Sequence, residues 1–139
     1  MPAKDRFHES VKTALQKDGW TITDEPLKIP IERLTNFYID LGAEKLLTAE
    51  REGQKIAVEV KSFLGASTLS EFHTALGQCL NYRYALEDTE PDRKLYLAVP
   101  NEIYQDFFVI PFIVSVIRRS QIYLIIYDPT REEIVRWQN

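Results

Sequence analysis

This sequence predicts an α/β domain whose mixed central sheet is flanked by helices, and three observations carry the prediction. Residues 54–61 alternate, with Ile56, Val58 and Val60 on one face and Ala57, Glu59 and Lys61 on the other, which is the period-two pattern of a strand. The stretch 68–87 then places Leu69, Phe72, Leu76, Cys79, Leu80 and Leu86 on one side of a helix. The predicted elements run helix, strand, strand, strand, helix, strand, then helix and strands, an order that suits a mixed sheet with helices on its faces. A chain of 139 residues has room for one such domain, covering 1–139.

In chain order, residues 4–17 carry Phe7, Val11, Ala14 and Leu15 at helical spacing, and Asp18-Gly19 supplies a stop. Residues 20–23, Trp-Thr-Ile-Thr, have the content of a short strand, after which Pro26 and Pro30 break any regular ladder. The segment 29–37 is compatible with extended chain or with one turn of helix. Strands near 44–51 and 54–61 around the turn residues Glu52-Gly53 form a hairpin. The loop 63–67 leads into the long helix, where Thr68 and Glu71 stand in capping-box register. Pro91 ends that helix within 88–92. Residues 94–99 form a central strand stopped by Pro100, 103–108 and 112–119 are helical with a basic end, 122–127 are a strand, Asp128-Pro129-Thr130 turns, and 134–137 are a last short strand.

Composition narrows the function classes. An apolar fraction of 45% with 12% aromatics can build a globular core, which sets disorder and fibres aside. The single Cys79 forms no internal disulfide and no zinc cluster, so a reducing compartment, the cytoplasm, is expected. The charged opening MPAKDRFHESVKTALQK lacks an apolar core of signal-peptide length. The most apolar run, 107–117, is far shorter than the roughly 20 residues of a membrane span and is expected in the interior. A net charge of −4 disfavours a protein that coats itself in nucleic acid, but catalytic carboxylates offset by a metal are consistent with it.

The chemistry concentrates in 40–61. Glu59 and Lys61 project from an apolar strand, where ionised groups are costly unless paired or metal-bound. Asp40 is separated from Glu59 by one strand and one turn, so a hairpin can bring the two carboxylates together. Hard cations such as Mg²⁺ or Mn²⁺ take a few carboxylate oxygens, with water and phosphate oxygens completing the shell. Asp40, Glu59 and the Val60 carbonyl offer that set, and Lys61 reaches the same place as a cation for an attacking water and for phosphate charge. The plainer alternatives are a cross-strand ion pair and a turn aspartate. Gln78 and Tyr82, four apart on the next helix, share a face with Glu71 and Thr74.

Asp40, then Glu59-Val60-Lys61, then Gln78 and Tyr82 resemble the PD-(D/E)xK nuclease superfamily, in particular the branch whose helix carries Gln-x-x-x-Tyr. The longer runs FYIDLGAEKLLTAEREGQKIAVEVKSFLG and ALGQCLNYRYAL resemble the XisH family, the fdxN-element excision controlling factors of cyanobacteria, over nearly the whole chain. The resemblance implies a restriction-endonuclease-like core, a role in recombinase-linked excision of a DNA element, and a companion excision-control protein or recombinase as partner. It makes Asp40 and Glu59 metal ligands and Lys61 the catalytic lysine, with Gln78 and Tyr82 supporting the site or contacting DNA. By its place in the first helix, Glu9 corresponds to an acid that some members add to the metal shell. Asp40 departs from the pattern, because Tyr38-Ile39 precedes it where the motif has proline, and Glu44 is a rival carboxylate.

Weaker candidates complete the survey. His8 and His73 have no partner at zinc-ligand spacing, and Cys79 reads as a buried small hydrophobe. Arg118, Arg119, Arg131 and Arg136 are able to track a DNA backbone or simply to face solvent, while Phe107, Phe108 and Trp137 read as core. Two rivals stand beside the nuclease. One is a catalytically inactive accessory protein that keeps the fold and binds a recombinase or partner; the other is a homodimer built on the run 107–117.

Overall fold

The computed structural model describes residues 3–45 and 53–139, with side chains from residue 6 onward. The chain opens with helix α1 (Ala3–Lys17), which buries Val11, Ala14 and Leu15. Gly19, at φ +90°, lets the chain reverse after the helix, and the Trp20 N–H returns to the Leu15 carbonyl. Strand β1 (Thr21–Asp24) follows.

Two short strands come next, β2 (Leu27–Ile29) and β3 (Phe37–Ile39), paired antiparallel as a separate two-stranded sheet. The prolines expected to break a ladder here instead bracket it. Pro26 and Pro30 flank β2, and neither sits in a position that needs an N–H for the pairing. The segment 29–37 therefore begins and ends in strand, at Ile29 and Phe37, which pair with each other, and residues 30–36 are the connection.

The main sheet adds β4 (Leu41–Lys45), β5 (Gln54–Val60), β6 (Arg93–Pro100), β7 (Tyr123–Asp128) and β8 (Glu133–Gln138) to β1, in the order β1-β4-β5-β6-β7-β8. The β5–β6 and β6–β7 pairs are parallel and the others antiparallel. The first hairpin strand thus begins at Leu41, three positions before the sequence expectation; its predicted residues 46–51 and the turn residue Glu52 lie outside the described residues.

Helix α2 (Thr68–Thr89) crosses between the parallel strands β5 and β6. Its cap is Ser67, whose Oγ accepts the Ser70 N–H at 3.1 Å, and not Thr68. Glu71 reaches further back and accepts the Gly65 N–H at 3.0 Å. A Cβ at Gly65 would lie 2.9 Å from the Glu71 carboxyl carbon, so the absent side chain permits this contact. The apolar face holds Phe72, Ala75, Cys79, Ala85 and Leu86. Leu69, expected on it, is instead 49% exposed.

Helices α3 (Asn101–Asp106) and α4 (Pro111–Ser120) complete the domain. Phe108, Ile113 and Ile117 are buried, but Val109, Ile110, Phe112 and Val114 are exposed. The run 107–117 is therefore not interior as a whole: only one side of the α3–α4 corner can meet the sheet.

The alternation read from the sequence separates two cores. Ala57, Leu97, Val99, Leu124 and Ile126 pack with α2, α3 and α4. Ile56, Val58, Ala98, Ile125 and Tyr127 pack with α1 on the other side. Arg93 is buried where β4, β5 and β6 meet, donating to the Ile56 carbonyl at 2.9 Å and to Glu90 at 3.1 Å. Among the described residues no helix is long and apolar enough to cross a membrane.

Candidate active site

The site lies at the C-terminal end of β5, where parallel sheets place ligand crevices. In the antiparallel β4–β5 register Leu41 pairs with Val58. One step further along that register, Asp40 stands opposite Glu59. Opposed residues on neighbouring strands have Cβ atoms roughly 5 Å apart, so the ladder brings the two carboxylates to one place. Asp40 Oδ2 accepts the Val60 N–H at 2.8 Å, which ties the β3–β4 junction to β5.

Glu59 shares the face of Ala57 and is 6% exposed. Its Oε1 lies 3.6 Å from Lys61 Nζ, while its Oε2 is buried without a hydrogen-bond partner among the described residues. Burial first, and the nearby Asp40 second, push the Glu59 carboxyl up to about 7, against the opposing pull of Lys61. Lys61 is anchored by its backbone N–H to the Ala98 carbonyl at 3.1 Å.

Helix α2 supplies the facing wall. Glu71 and Thr74 join Asp40, Glu59 and Lys61 in lining a cleft of about 370 Å³, which Phe7 and His8 of α1 close from the other side. Gln78 follows one turn beyond Thr74 and has a buried Oε1 with no partner among the described residues. Tyr82 packs T-shaped on Phe37 with centroids 5.6 Å apart. Its hydroxyl is pushed up to about 12 by burial and then by Glu59 and Asp40. Cys79 is buried, as expected of a small hydrophobe, and its thiol is likewise pushed up to about 12, by burial and then by Glu59.

Asp40, Glu59 and Lys61 are thus brought together, with Gln78 and Tyr82 on the helix beside them. Glu9 does not line the cleft. It gathers with His8 and Glu25, whose candidate ligand atoms all lie within 4.8 Å of one another. His8 Nε2 is 2.9 Å from Glu25 Oε1, and Lys12 Nζ is 2.8 Å from Glu25 Oε2. Those contacts, Lys12 first, hold the Glu25 carboxyl below its usual range. The rival Glu44 faces Arg93 at 3.8 Å and belongs to that ion pair. His73 is exposed beside Phe72, Arg131 pairs with Glu133 at 3.9 Å, and Arg136 bonds Tyr104 and Gln138. Of the cleft walls, Phe7 and the role of His8 were missed, because helical periodicity says nothing of what the second turn of α1 meets.

These features define a mixed α/β protein with a carboxylate-lysine cleft at the end of a central strand. The chain belongs to the XisH family: the family model described as XisH protein matches residues 1–135. A crystal structure of an XisH family protein from Nostoc punctiforme PCC 73102 is 49% identical, covers 97% of this chain and 100% of its own, and superposes with a TM-score of 0.89. A crystal structure of an fdxN element excision controlling factor protein from Anabaena variabilis is 53% identical, covers 97% of this chain and 99% of its own, and gives a TM-score of 0.87. Among curated proteins, none matches.

Proposed function

We propose that this chain acts in controlling excision of a DNA element, as the name of its Anabaena relative states for that protein, and that it does so as a PD-(D/E)xK-type metal-dependent endonuclease. The observation that carries the chemical part is Glu59: a carboxylate buried beside Asp40, with one oxygen lacking any partner among the described residues. A second carboxylate in a buried place is unfavourable unless a cation is shared, and hard oxygen donors fit Mg²⁺ or Mn²⁺. Asp40, Glu59 and the Val60 carbonyl would hold that ion. When bound, such an ion polarises the scissile phosphodiester and acidifies water.

The protein's own groups do the remaining work. Lys61 sits in a loose ion pair with Glu59 at 3.6 Å, so its ammonium is free to turn toward a phosphate oxygen or the attacking water. Thr74 and Gln78 offer polar atoms on the facing wall, and Tyr82 keeps its proton through burial. The substrate is DNA, and a companion excision-control protein or recombinase brings the domain to it.

The test is incubation of supercoiled, linear, single-stranded and branched DNA with Mg²⁺ or Mn²⁺. The wild type nicks or cleaves at least one form, and a Glu59→Ala/Lys61→Ala variant loses at least about a hundredfold in rate. Equal behaviour on every form removes the enzymatic reading.

A second reading, an inactive accessory protein that binds its recombinase or partner through surface contacts, draws on the exposed Val109, Ile110, Phe112 and Val114. A homodimer through the same residues is its variant, and light scattering separates the two.

A further inference from the structure

Beside the acidic cleft lies a second cavity of about 520 Å³, and the two share Phe7 and Ser62 as common wall. Its character is different. Phe7, Phe63, Leu64, Pro100, Ile103 and Pro129 make half of its lining, and Asn101 and Thr130 supply polar atoms. Asp128, which also borders it, is already engaged: its Oδ1 accepts the Thr130 and Arg131 N–H groups at 2.9 and 3.0 Å. The acid Glu102 and the base Arg131, whose Nε lies 3.9 Å from Glu133, stand at the border too. Mainly apolar walls with a few polar atoms suit a neutral, planar group with edge hydrogen bonds. Phe7 meets its aromatic neighbour Tyr127 T-shaped, at 79°, and not stacked.

From this we infer that the second cavity receives an unpaired nucleobase, so that the DNA processed next door carries an unpaired nucleotide beside the scissile phosphate. The inference rests on the nuclease reading and narrows its substrate. A nucleotide whose phosphate lies at Lys61 has a neighbouring base within reach of the shared wall, and a base held in a stack cannot enter a side cavity unless it is unpaired or flipped. Net charge points the same way. At −4 the chain is poorly equipped to track a duplex by phosphate contacts alone, whereas stacking of a base on an aromatic wall adds binding of its own.

The experiment measures binding by anisotropy in Ca²⁺, which holds phosphate without requiring turnover, on a matched duplex and on the same duplex with one unpaired 2-aminopurine. Wild type binds the unpaired form about tenfold or more tightly, as one base contact is worth, and the probe's fluorescence changes. Thr130→Trp fills the cavity from an exposed position, and Leu64→Glu charges it from another. Each brings the preference below about twofold while matched-duplex binding stays put. Equal wild-type affinities, or a preference that survives both variants, overturns the substrate assignment and leaves the nuclease reading to its own cleavage test. Absence of binding to any DNA form overturns both.

Discussion

The Val60 backbone N–H donates to Asp40 Oδ2 over 2.8 Å, so the first carboxylate of the site is also a structural clamp between the β3–β4 junction and β5. Removing it has two separable consequences. Asp40→Ala leaves the Val60 N–H without an acceptor and destabilises by about 1–3 kcal/mol. Asp40→Asn keeps a carbonyl oxygen for the bond and costs less, but halves the charge offered to a metal. Urea unfolding should rank wild type above Asn above Ala, while Mn²⁺ titration should show both variants impaired. If Asn binds metal as wild type does, Asp40 is a clamp alone.

Glu59 makes stability depend on pH in a direction opposite to most carboxylates. Its folded value of about 7 lies above the ordinary carboxylate value of 4.5, so the protonated form is favoured by folding. The contribution, of order 3 kcal/mol, is fully present below about pH 4.5 and is lost as pH rises through about 7. Glu59→Gln should flatten this window in urea unfolding followed across pH. Since a cation binds the deprotonated form, Mg²⁺ uptake near neutral pH should release protons. Calorimetry in buffers of different ionisation enthalpy reads that release, and a buffer-independent heat would contradict the raised value.

What could be read in the sequence was local in origin. Alternation over Ile56 to Lys61 needs only the strand period, and it placed Glu59 and Lys61 on the α2 side and Ile56 and Val58 on the α1 side. The pairing of Asp40 with Glu59 followed from chain connectivity. What escaped depended on partners distant in the chain. Ser67 and Thr68 both belong to the favoured cap residues, and in the fold Ser67 takes the cap while Glu71 reaches back to the Gly65 N–H. The strand at Phe37–Ile39 exists through its pairing with Leu27–Ile29. The composition of 107–117 could not reveal that Phe112 is 70% exposed while Ile113, its neighbour, is buried.

Tyr127 offers a control on the α1 side of the sheet, where its ring, retained in a Phe variant, packs against Phe7. Its side chain is fully buried, and its hydroxyl has no hydrogen-bond partner among the described residues. Burial drives its pKa strongly upward, so it stays neutral. Deleting an unpaired buried hydroxyl removes a desolvation penalty and little volume, so Tyr127→Phe should raise unfolding stability by about 1 kcal/mol without altering DNA cleavage. A loss of stability would reveal a partner for that hydroxyl.

Gln78 presents the same unpaired burial within the site, and there the expected outcome differs. Its Oε1 is buried and unpartnered on the helical face that carries Thr74 and Tyr82. Gln78→Met keeps the length and flexibility of the side chain while removing the amide. If the amide serves only the fold, stability and activity should move together. If it orients Lys61 or a reacting water, an unpaired polar group has been kept at some expense to stability, and its removal should leave unfolding unchanged or up by about 1 kcal/mol. The same variant should then lose about tenfold or more in cleavage rate. Paired urea and nicking measurements decide between the two. Opposite movement of stability and rate marks Gln78 as a positioning residue, and a stable, fully active Gln78→Met would reduce it to a tolerated polar side chain on α2.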